Sequence, residues 1–352
     1  MKVYLAGTSV SNPKEEKTLQ NLFREGSKLH SYYHCEEGFE KNWFIMNIKN
    51  KVELFLDSGA FSAWTQKIEI NIQDYIKFIK EHEDVIDVYA NLDVIGIGGK
   101  QPNLLTAKKT LENQKIMERE GLLPLPCFHF GEPFKYLQYY VKNYDYIALG
   151  VAGNVGVKLI PWLNTCFSKY ICEEEGIPKV KVHGFAVTSL PLMLRYPWYS
   201  VDSTSWVVTG RMGSVYIPRY RGGKWIYDEN SWKIAVSNRS PNTKEAGKHI
   251  ETLPPTEKRM LIRYIYDKGY VLGKSEFKEV DLKHTLAENE RWAEKKEKGK
   301  SKRLLEIIVE PGISNKYQLR DEMNIIYFLD LEKSMPEWPW AFKRKGTTDG
   351  FF

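Results

Sequence analysis

The chain reads as an α/β protein built on a (β/α)8 barrel of the TIM type, and three observations carry that reading. Short apolar runs of strand length recur through residues 1–235 at intervals of roughly 30 residues, with helical patterns between them. Several of these runs stop at an acidic or small residue followed by a tight turn, as in Leu54-Phe55-Leu56-Asp57-Ser58-Gly59. A chain of 352 residues, 42% of them hydrophobic, can also bury a large core. An open doubly wound sheet is the alternative, because periodicity does not show whether a sheet closes.

In chain order, Val3 to Gly7 reads as the first strand, and Lys14 to His30 as a helix on the spacing of Leu19, Leu22 and Phe23. Val52 to Leu56 is the second strand and ends at Asp57; Ile72 to His82 is an amphipathic helix with Tyr75, Ile76 and Ile79 on one face. Asp87 to Leu92 is the third strand, ending at Asp93, and Ala107 to Glu120 a helix stopped by Gly121. Leu123 to Phe130 is the fourth strand, Pro133 to Asn143 a helix, and Tyr146 to Leu149 the fifth strand, followed by Gly150-Val151-Ala152-Gly153. Trp162 to Glu175 is a helix, Lys181 to Phe185 the sixth strand, and Leu190 to Tyr196 a short helix. Tyr199 to Val201 is the seventh strand, ending at Asp202, and Val215 to Pro218 the eighth.

Beyond residue 235 the pattern changes, and residues 236–352 read as a C-terminal α+β appendage suited to nucleic-acid contact. It holds a helix from Lys258 to Lys268 after Pro254-Pro255, a charge-rich stretch from Glu288 to Arg303, and a late strand at Ile325 to Leu329.

The net charge of +6 permits a polyanionic partner without requiring one. The four cysteines, Cys35, Cys127, Cys166 and Cys172, form no C-x-x-C pair, so neither structural zinc nor a disulfide framework is expected. No run approaches ~20 apolar residues, and Met1-Lys2-Val3 leads straight into a strand. A cytoplasmic protein with no membrane partner and no cofactor is expected.

The strand ends carry the chemistry. In a barrel they converge on one face, which brings Asp57, Asp93 and Asp202 around one pocket, with His129 or Glu132 and the Gly150 turn beside them. One strand-end Asp is usually a helix cap; three in register point to an active site. Paired carboxylates suit glycosyl chemistry, one attacking an oxocarbenium-like carbon and the other moving protons. An Asp can also accept two hydrogen bonds from the N1–H and 2-amino edge of a guanine. Small residues such as Gly150 to Gly153 admit a flat base, and Phe61, Trp64, Phe128 or Phe130 can stack on it, although core packing accounts for such rings equally well. The stretch Arg211, Arg219, Tyr220, Arg221, Lys224, Trp225 has the composition of a phosphate-binding surface, or of a solvated loop. The run Lys295 to Arg303 is open to the same two readings.

These motifs together resemble the queuine/archaeosine tRNA-guanine transglycosylase superfamily, over roughly residues 50 to 215. Asp57-Ser58-Gly59-Ala60-Phe61-Ser62 matches its D-S-G-G-F-Q motif, and Asn91-Leu92-Asp93 its guanine-reading Asp. Leu149-Gly150-Val151-Ala152-Gly153 echoes its G-L-[AS]-V-G-E turn. Tyr199-Ser200-Val201-Asp202-Ser203-Thr204-Ser205 matches the context of its nucleophile, and His183-Gly184-Phe185-Ala186-Val187 the strand before it. Phe128-His129-Phe130-Gly131 stands where the family has Val-Gln-Gly-Gly, Ala60 replaces its second glycine, and its zinc cysteines and P-T-R are missing. A core without the zinc subdomain is most similar to the DpdA-type DNA transglycosylases of phages and bacteria.

The resemblance implies a base exchange in DNA, guanine for a 7-deazaguanine of the preQ0/preQ1 type, by an enzyme in the bacterial or host cytoplasm. It implies Asp202 as nucleophile, Asp57 as general acid/base, and Asp93 with Ser58, Gly59, Phe61, His129, Gly131, Gly150, Val151 and Ala152 around the base. Arg211, Arg219, Arg221 and Lys224 would hold DNA, with a free 7-deazaguanine and accessory modification enzymes as further partners. The alternatives are the same exchange on tRNA, a DNA glycosylase or nucleoside hydrolase using the same carboxylates, and a barrel that only binds nucleic acid.

Overall fold

The computed structural model describes residues 1–8, 24–35, 38–96, 103–151, 156–187, 189–229, 231–239, 246–281, 283–297 and 300–342. They group into two compact units, one of Met1–Thr204 with Glu332–Phe352 and one of Ser205–Leu331.

The first unit is built on eight parallel strands: β1 (Lys2–Ala6), β2 (Ser27–Ser31), β3 (Glu53–Asp57), β4 (Val88–Tyr89), β5 (Cys127–His129), β6 (Tyr146–Gly150), β7 (Lys181–Gly184) and β8 (Ser200–Ser203). Their order, β4-β3-β2-β1-β8-β7-β6-β5, is that of a ring opened between β4 and β5. One parallel bridge, Ala90 to Leu125, crosses that opening, with Asn91 N donating to Leu125 O at 2.9 Å and Leu125 N to Tyr89 O at 2.8 Å. The curled sheet flanked by helices is compatible with a TIM-like barrel.

Alternation along the strands sorts the side chains. Tyr4, Ala6, Leu29, Phe55, Ala90, Leu125, Cys127 and Ala148 form one buried cluster, which places alternate positions on a common face. Phe55 is wholly buried, a transfer worth about 1.5–3 kcal/mol. Two residues on from Phe55, Cys127 and Ala148 come Asp57, His129 and Gly150, so the same period-two rule puts all three on that face at the C-terminal strand ends.

Two of the helices between strands start where their sequences supply side-chain caps. Asn71 Oδ1 accepts from Gln73 N at 2.8 Å and opens Ile72–Glu81, whose Tyr75, Ile76 and Ile79 are buried as expected. Asn103 and Thr106 form a capping box that starts the next helix, Leu104–Arg119, three residues before the apolar pattern begins. The helix expected from Trp162 to Glu175 is Leu159–Thr165 continued by a π-helical turn, Cys166–Ile171.

Three expectations are corrected. The end of the supposed helix from Lys14 to His30 is strand β2; residues 9–23 lie outside the described residues. This strand has no apolar run to reveal it. Its Lys28 and His30 are buried because Lys28 Nζ donates to Gly7 O and Leu29 O, while His30 Nε2 pairs with Asn47 Nδ2 at 2.8 Å. Val215 to Pro218 is not the eighth strand of the sheet: Ser214–Ile217 pairs antiparallel with Trp232–Ala235 in the second unit. Ile325 to Leu329 is helical, within Tyr317–Ser334. That helix is buried almost all round, so its apolar run shows no helical period and reads equally well as a strand.

The second unit holds further antiparallel strands. Arg219–Arg221 pairs with Lys224–Ile226, and Lys300–Glu310 is flanked by Lys274–Lys278 and Glu290–Glu297. Its core gathers Val215, Ile217, Ile234, Leu261 and Tyr264. Among the described residues no helix is long and apolar enough to cross a membrane.

Candidate active site

Asp57 ends β3, opposite Ser31 of β2, and Asp202 lies in β8, opposite Tyr4 of β1. Asp93 follows β4 and its bridge. After Asp57 the chain must turn at once, and Gly59 does so at φ +79°. A Cβ there would stand 2.5 Å from both Ser31 Oγ and Tyr33 Cβ, so glycine is required twice over. The turn lets Gly59 N donate to Asp57 Oδ2 at 3.0 Å.

A hydrogen-bonded line runs away from this turn. Ser58 Oγ donates to Asp93 Oδ1 at 2.8 Å, and Asp93 Oδ2 meets His129 Nε2 at 2.8 Å. On its other side His129 Nδ1 faces Glu132 Oε1 at 3.7 Å, too long for a hydrogen bond. Glu132 Oε2 accepts from the His129 backbone N at 2.9 Å across a turn made by Gly131 at φ +100°. Gly150 has a different use. A Cβ on it would lie 2.7 Å from His129 Cδ2, so the close approach it allows is taken by the His129 ring.

The electrostatics follow from burial and charge. Withdrawal of Asp57 from water is the largest effect on it, and the neighbouring Asp93 charge adds to this; the Gly59 N–H pulls the other way and Asp202 pushes again, leaving its pKa up at about 7. Burial alone would lower His129, but its contacts with Asp93 and Glu132 outweigh that and carry it up to about 10. His183, also buried, is pulled down instead, with only Asp202 opposing.

Asp202 is held from β7. Ala186 N donates to its Oδ1 at 2.7 Å, from a residue at φ +55°. A non-glycine residue in that region costs of order 1 kcal/mol, and such outliers gather where a backbone group must be aimed.

The residues expected around a base divide as follows. Ser58, Gly59, Asp93, His129, Gly131 and Gly150 belong to this constellation. Phe61 is 48% exposed on the helix Ala60–Gln66, 5.9 Å from the Trp64 ring. Val151 follows β6, and Ala152 lies outside the described residues. Phe128 is wholly buried and stacks on Trp162, the packing role weighed above. Of the basic residues, all in the second unit, Arg211 ends the helix Ser205–Arg211 and Arg219 lies over the Trp232 ring at 4.3 Å. Arg221 pairs with Glu229 at 2.8 Å, and Lys224 is exposed beside it on the hairpin. Of the Lys295 to Arg303 run, 298–299 lie outside the described residues, and Arg303 lies over Trp292 at 4.5 Å.

Sequence reasoning gave no role to His183, Ser200, Tyr146 or Ser31. Ser31 went unseen with its strand. The other three sit at alternating inward positions of recognised strands, which is the signal that could have found them. No protein-family model and no curated protein matches the chain.

Proposed function

We propose that this protein is a base-exchanging pentosyltransferase, similar to the tRNA-guanine transglycosylases, that replaces guanine in DNA with a 7-deazaguanine. The observation that carries the reading is the meeting of Asp57, Asp93 and Asp202 at the C-terminal ends of one parallel sheet, where burial and then the charges of Asp93 and Asp202 raise the pKa of the acid/base group, Asp57, to about 7. We take that sheet to close as a (β/α)8 barrel, whose active sites lie at this end.

Asp202 Oδ2 attacks C1′ of the deoxyribose as the bond from C1′ to guanine N9 breaks, and Asp57 in its acid form passes a proton to the leaving base. Asp57, now a carboxylate, takes the N9 proton of the incoming 7-deazaguanine. That base attacks C1′, and the bond to Asp202 breaks to restore the free carboxylate. A group with a pKa near 7 serves both directions at neutral pH. Asp93, fixed by Ser58 and His129, keeps a lone pair on each oxygen for the N1–H and 2-amino edge. A duplex substrate must present its nucleotide flipped out, at a cost of a few kcal/mol. Arg211, Arg219, Arg221 and Lys224 supply phosphate contacts.

The test is release of labelled guanine from DNA and from tRNA, with and without preQ0 or preQ1, for wild type and Asp202→Asn. Repeated release from DNA, beyond one guanine per enzyme, that needs the added base and falls at least ~10³-fold in the variant is expected. Exchange confined to tRNA makes RNA the substrate, and repeated release without an added base makes the protein a hydrolase.

A further inference from the structure

Asp202 is held by a second set of buried groups that the steps above leave unused. His183 of β7 stands in register with Ser200 of β8, its imidazole wholly enclosed. The rings of Phe55 and Phe185 pack on it at 4.6 Å each, and Tyr4 at 6.1 Å. Nδ1 lies 2.7 Å from Ser200 Oγ, and Nε2 lies 3.4 Å from Asp202 Oδ1, off line for a hydrogen bond. Ser200 Oγ is in turn 2.6 Å from the hydroxyl of Tyr146 on β6.

The direction of this chain follows from hydrogen counting. Burial, the largest effect on Tyr146, pushes its pKa up, so the phenol keeps its proton. Among the described residues Ser200 Oγ is the hydrogen-bond partner of the half-buried Tyr146 hydroxyl, and a phenol is the stronger donor and weaker acceptor of the two hydroxyls. Tyr146 therefore donates to Ser200, and Ser200 donates onward to His183 Nδ1. An imidazole held neutral by burial then carries its one hydrogen on Nε2, the atom that faces Asp202. The Ala186 N–H reaches the same carboxylate oxygen from the other side of the turn, at 2.7 Å. Among the described residues Oδ2 accepts no hydrogen bond.

We propose that His183 is a positioning residue: the chain Tyr146–Ser200–His183 fixes its Nε2–H tautomer, and that hydrogen and the Ala186 N–H together orient Asp202 through Oδ1, leaving Oδ2 for attack. The role rests on the reading of Asp202 as nucleophile; the tautomer does not. A nucleophile oriented by two dipoles keeps its reacting oxygen clear of any ion pair, and misplacement of a reacting atom by about 1 Å costs on the order of 10²-fold in rate.

Long-range proton–nitrogen correlation spectra of the full-length histidine-labelled protein read the tautomer with no substrate present. Nε2–H is expected for wild-type His183, and a mixture of tautomers for Tyr146→Phe, in which the Ser200 hydroxyl loses the donor that sets its rotation. Single-turnover exchange is expected to slow about 10²-fold in His183→Ala with DNA affinity unchanged. His183→Gln, whose amide carries hydrogen at the corresponding position, is expected to recover most of that loss. An Nδ1–H tautomer in the wild type, or wild-type exchange by His183→Ala, overturns the assignment. A protein with the Nε2–H tautomer that exchanges no base keeps the donor chain and overturns the transferase reading instead.

Discussion

Two buried histidines flank the carboxylates, with side-chain exposures of 3% for His129 and 0% for His183, and they hold protons very differently. Burial pulls both towards the neutral form. His129 resists because Asp93 stands 2.8 Å from one nitrogen and Glu132 3.7 Å from the other. His183 has one carboxylate at 3.4 Å and a hydroxyl chain on the far nitrogen, and it yields. The number of carboxylates in reach, not the degree of enclosure, decides the charge. The consequence falls on Asp57. Burial raises Asp57 most; the charge of Asp93, which the His129 cation offsets only in part, and that of Asp202, which has no cation partner among the described residues, add to it, and Asp57 holds its proton up to about pH 7. In the proposed reaction one side of the carboxylate cluster is thus a charged scaffold that tunes the acid, and the other a neutral scaffold that aims the nucleophile.

The sharpest way to break this contrast is to remove the tuned acid. Asp57→Asn is expected to lower exchange by about 10²–10⁴-fold and to erase a pH-dependent limb near neutrality, read from single-turnover pH profiles. It should also reveal a stability cost. A carboxyl whose native pKa is raised from the ordinary 3.8 to about 7 binds its proton more tightly when folded, so wild-type stability falls as pH rises through that window and stays low above it. The variant should therefore unfold at a higher temperature than wild type at pH 8, by up to about 4 kcal/mol in free energy, with the advantage gone below about pH 4.

His129→Gln tests the charged scaffold itself. Removing the cation leaves two buried carboxylates facing each other, and a loss of about 3–5 kcal/mol at pH 7 is expected in denaturant unfolding. The sign is opposite to that at Asp57. A histidine raised to about 10 contributes stability that is full below its ordinary value of 6.5 and is lost as pH rises through about 10. The deficit of the variant should therefore shrink in alkali.

Gly150→Ala makes a smaller incision at the same histidine. Its Cβ would meet the imidazole at 2.7 Å and force the ring off Asp93. A loss of about 1–3 kcal/mol is expected, together with a lowered His129 pKa by titration of its proton resonances. An alanine variant of wild-type stability and unchanged His129 titration would mean that the ring has room to move and that Gly150 serves something else.

Much of this architecture was legible before any coordinate. Strands rich in Val, Leu, Ile and Phe announce themselves, and Asp57 and Asp202 stand where such runs end, so the carboxylate face could be assembled from order and spacing. Strand β2 could not be read this way. Ser27-Lys28-Leu29-His30-Ser31 lacks an apolar run, and its buried lysine and histidine depend on partners such as Gly7 and Asn47 that are remote in sequence. The helix across Ile325 to Leu329 was hidden for the opposite reason, since burial on nearly every side removes the polar stripe that marks a helical period. The histidines differ in kind as well. His129 was visible as a strand end, but its charge depends on Glu132 folding back over Gly131. The role proposed for His183 depends on hydroxyls of the two neighbouring strands, and no local pattern encodes that.

The most direct test of the central claim is to look for the covalent intermediate. The full-length protein would be incubated with guanine-containing DNA without the incoming base, quenched in denaturant, digested, and mapped by mass spectrometry. A deoxyribosyl adduct on the peptide carrying Ser200–Ser203, assigned to Asp202 and missing from Asp202→Asn, is the expected result. An adduct on Asp57, or base release with no adduct at all, would contradict the proposed division of labour between the two sides of the carboxylate cluster.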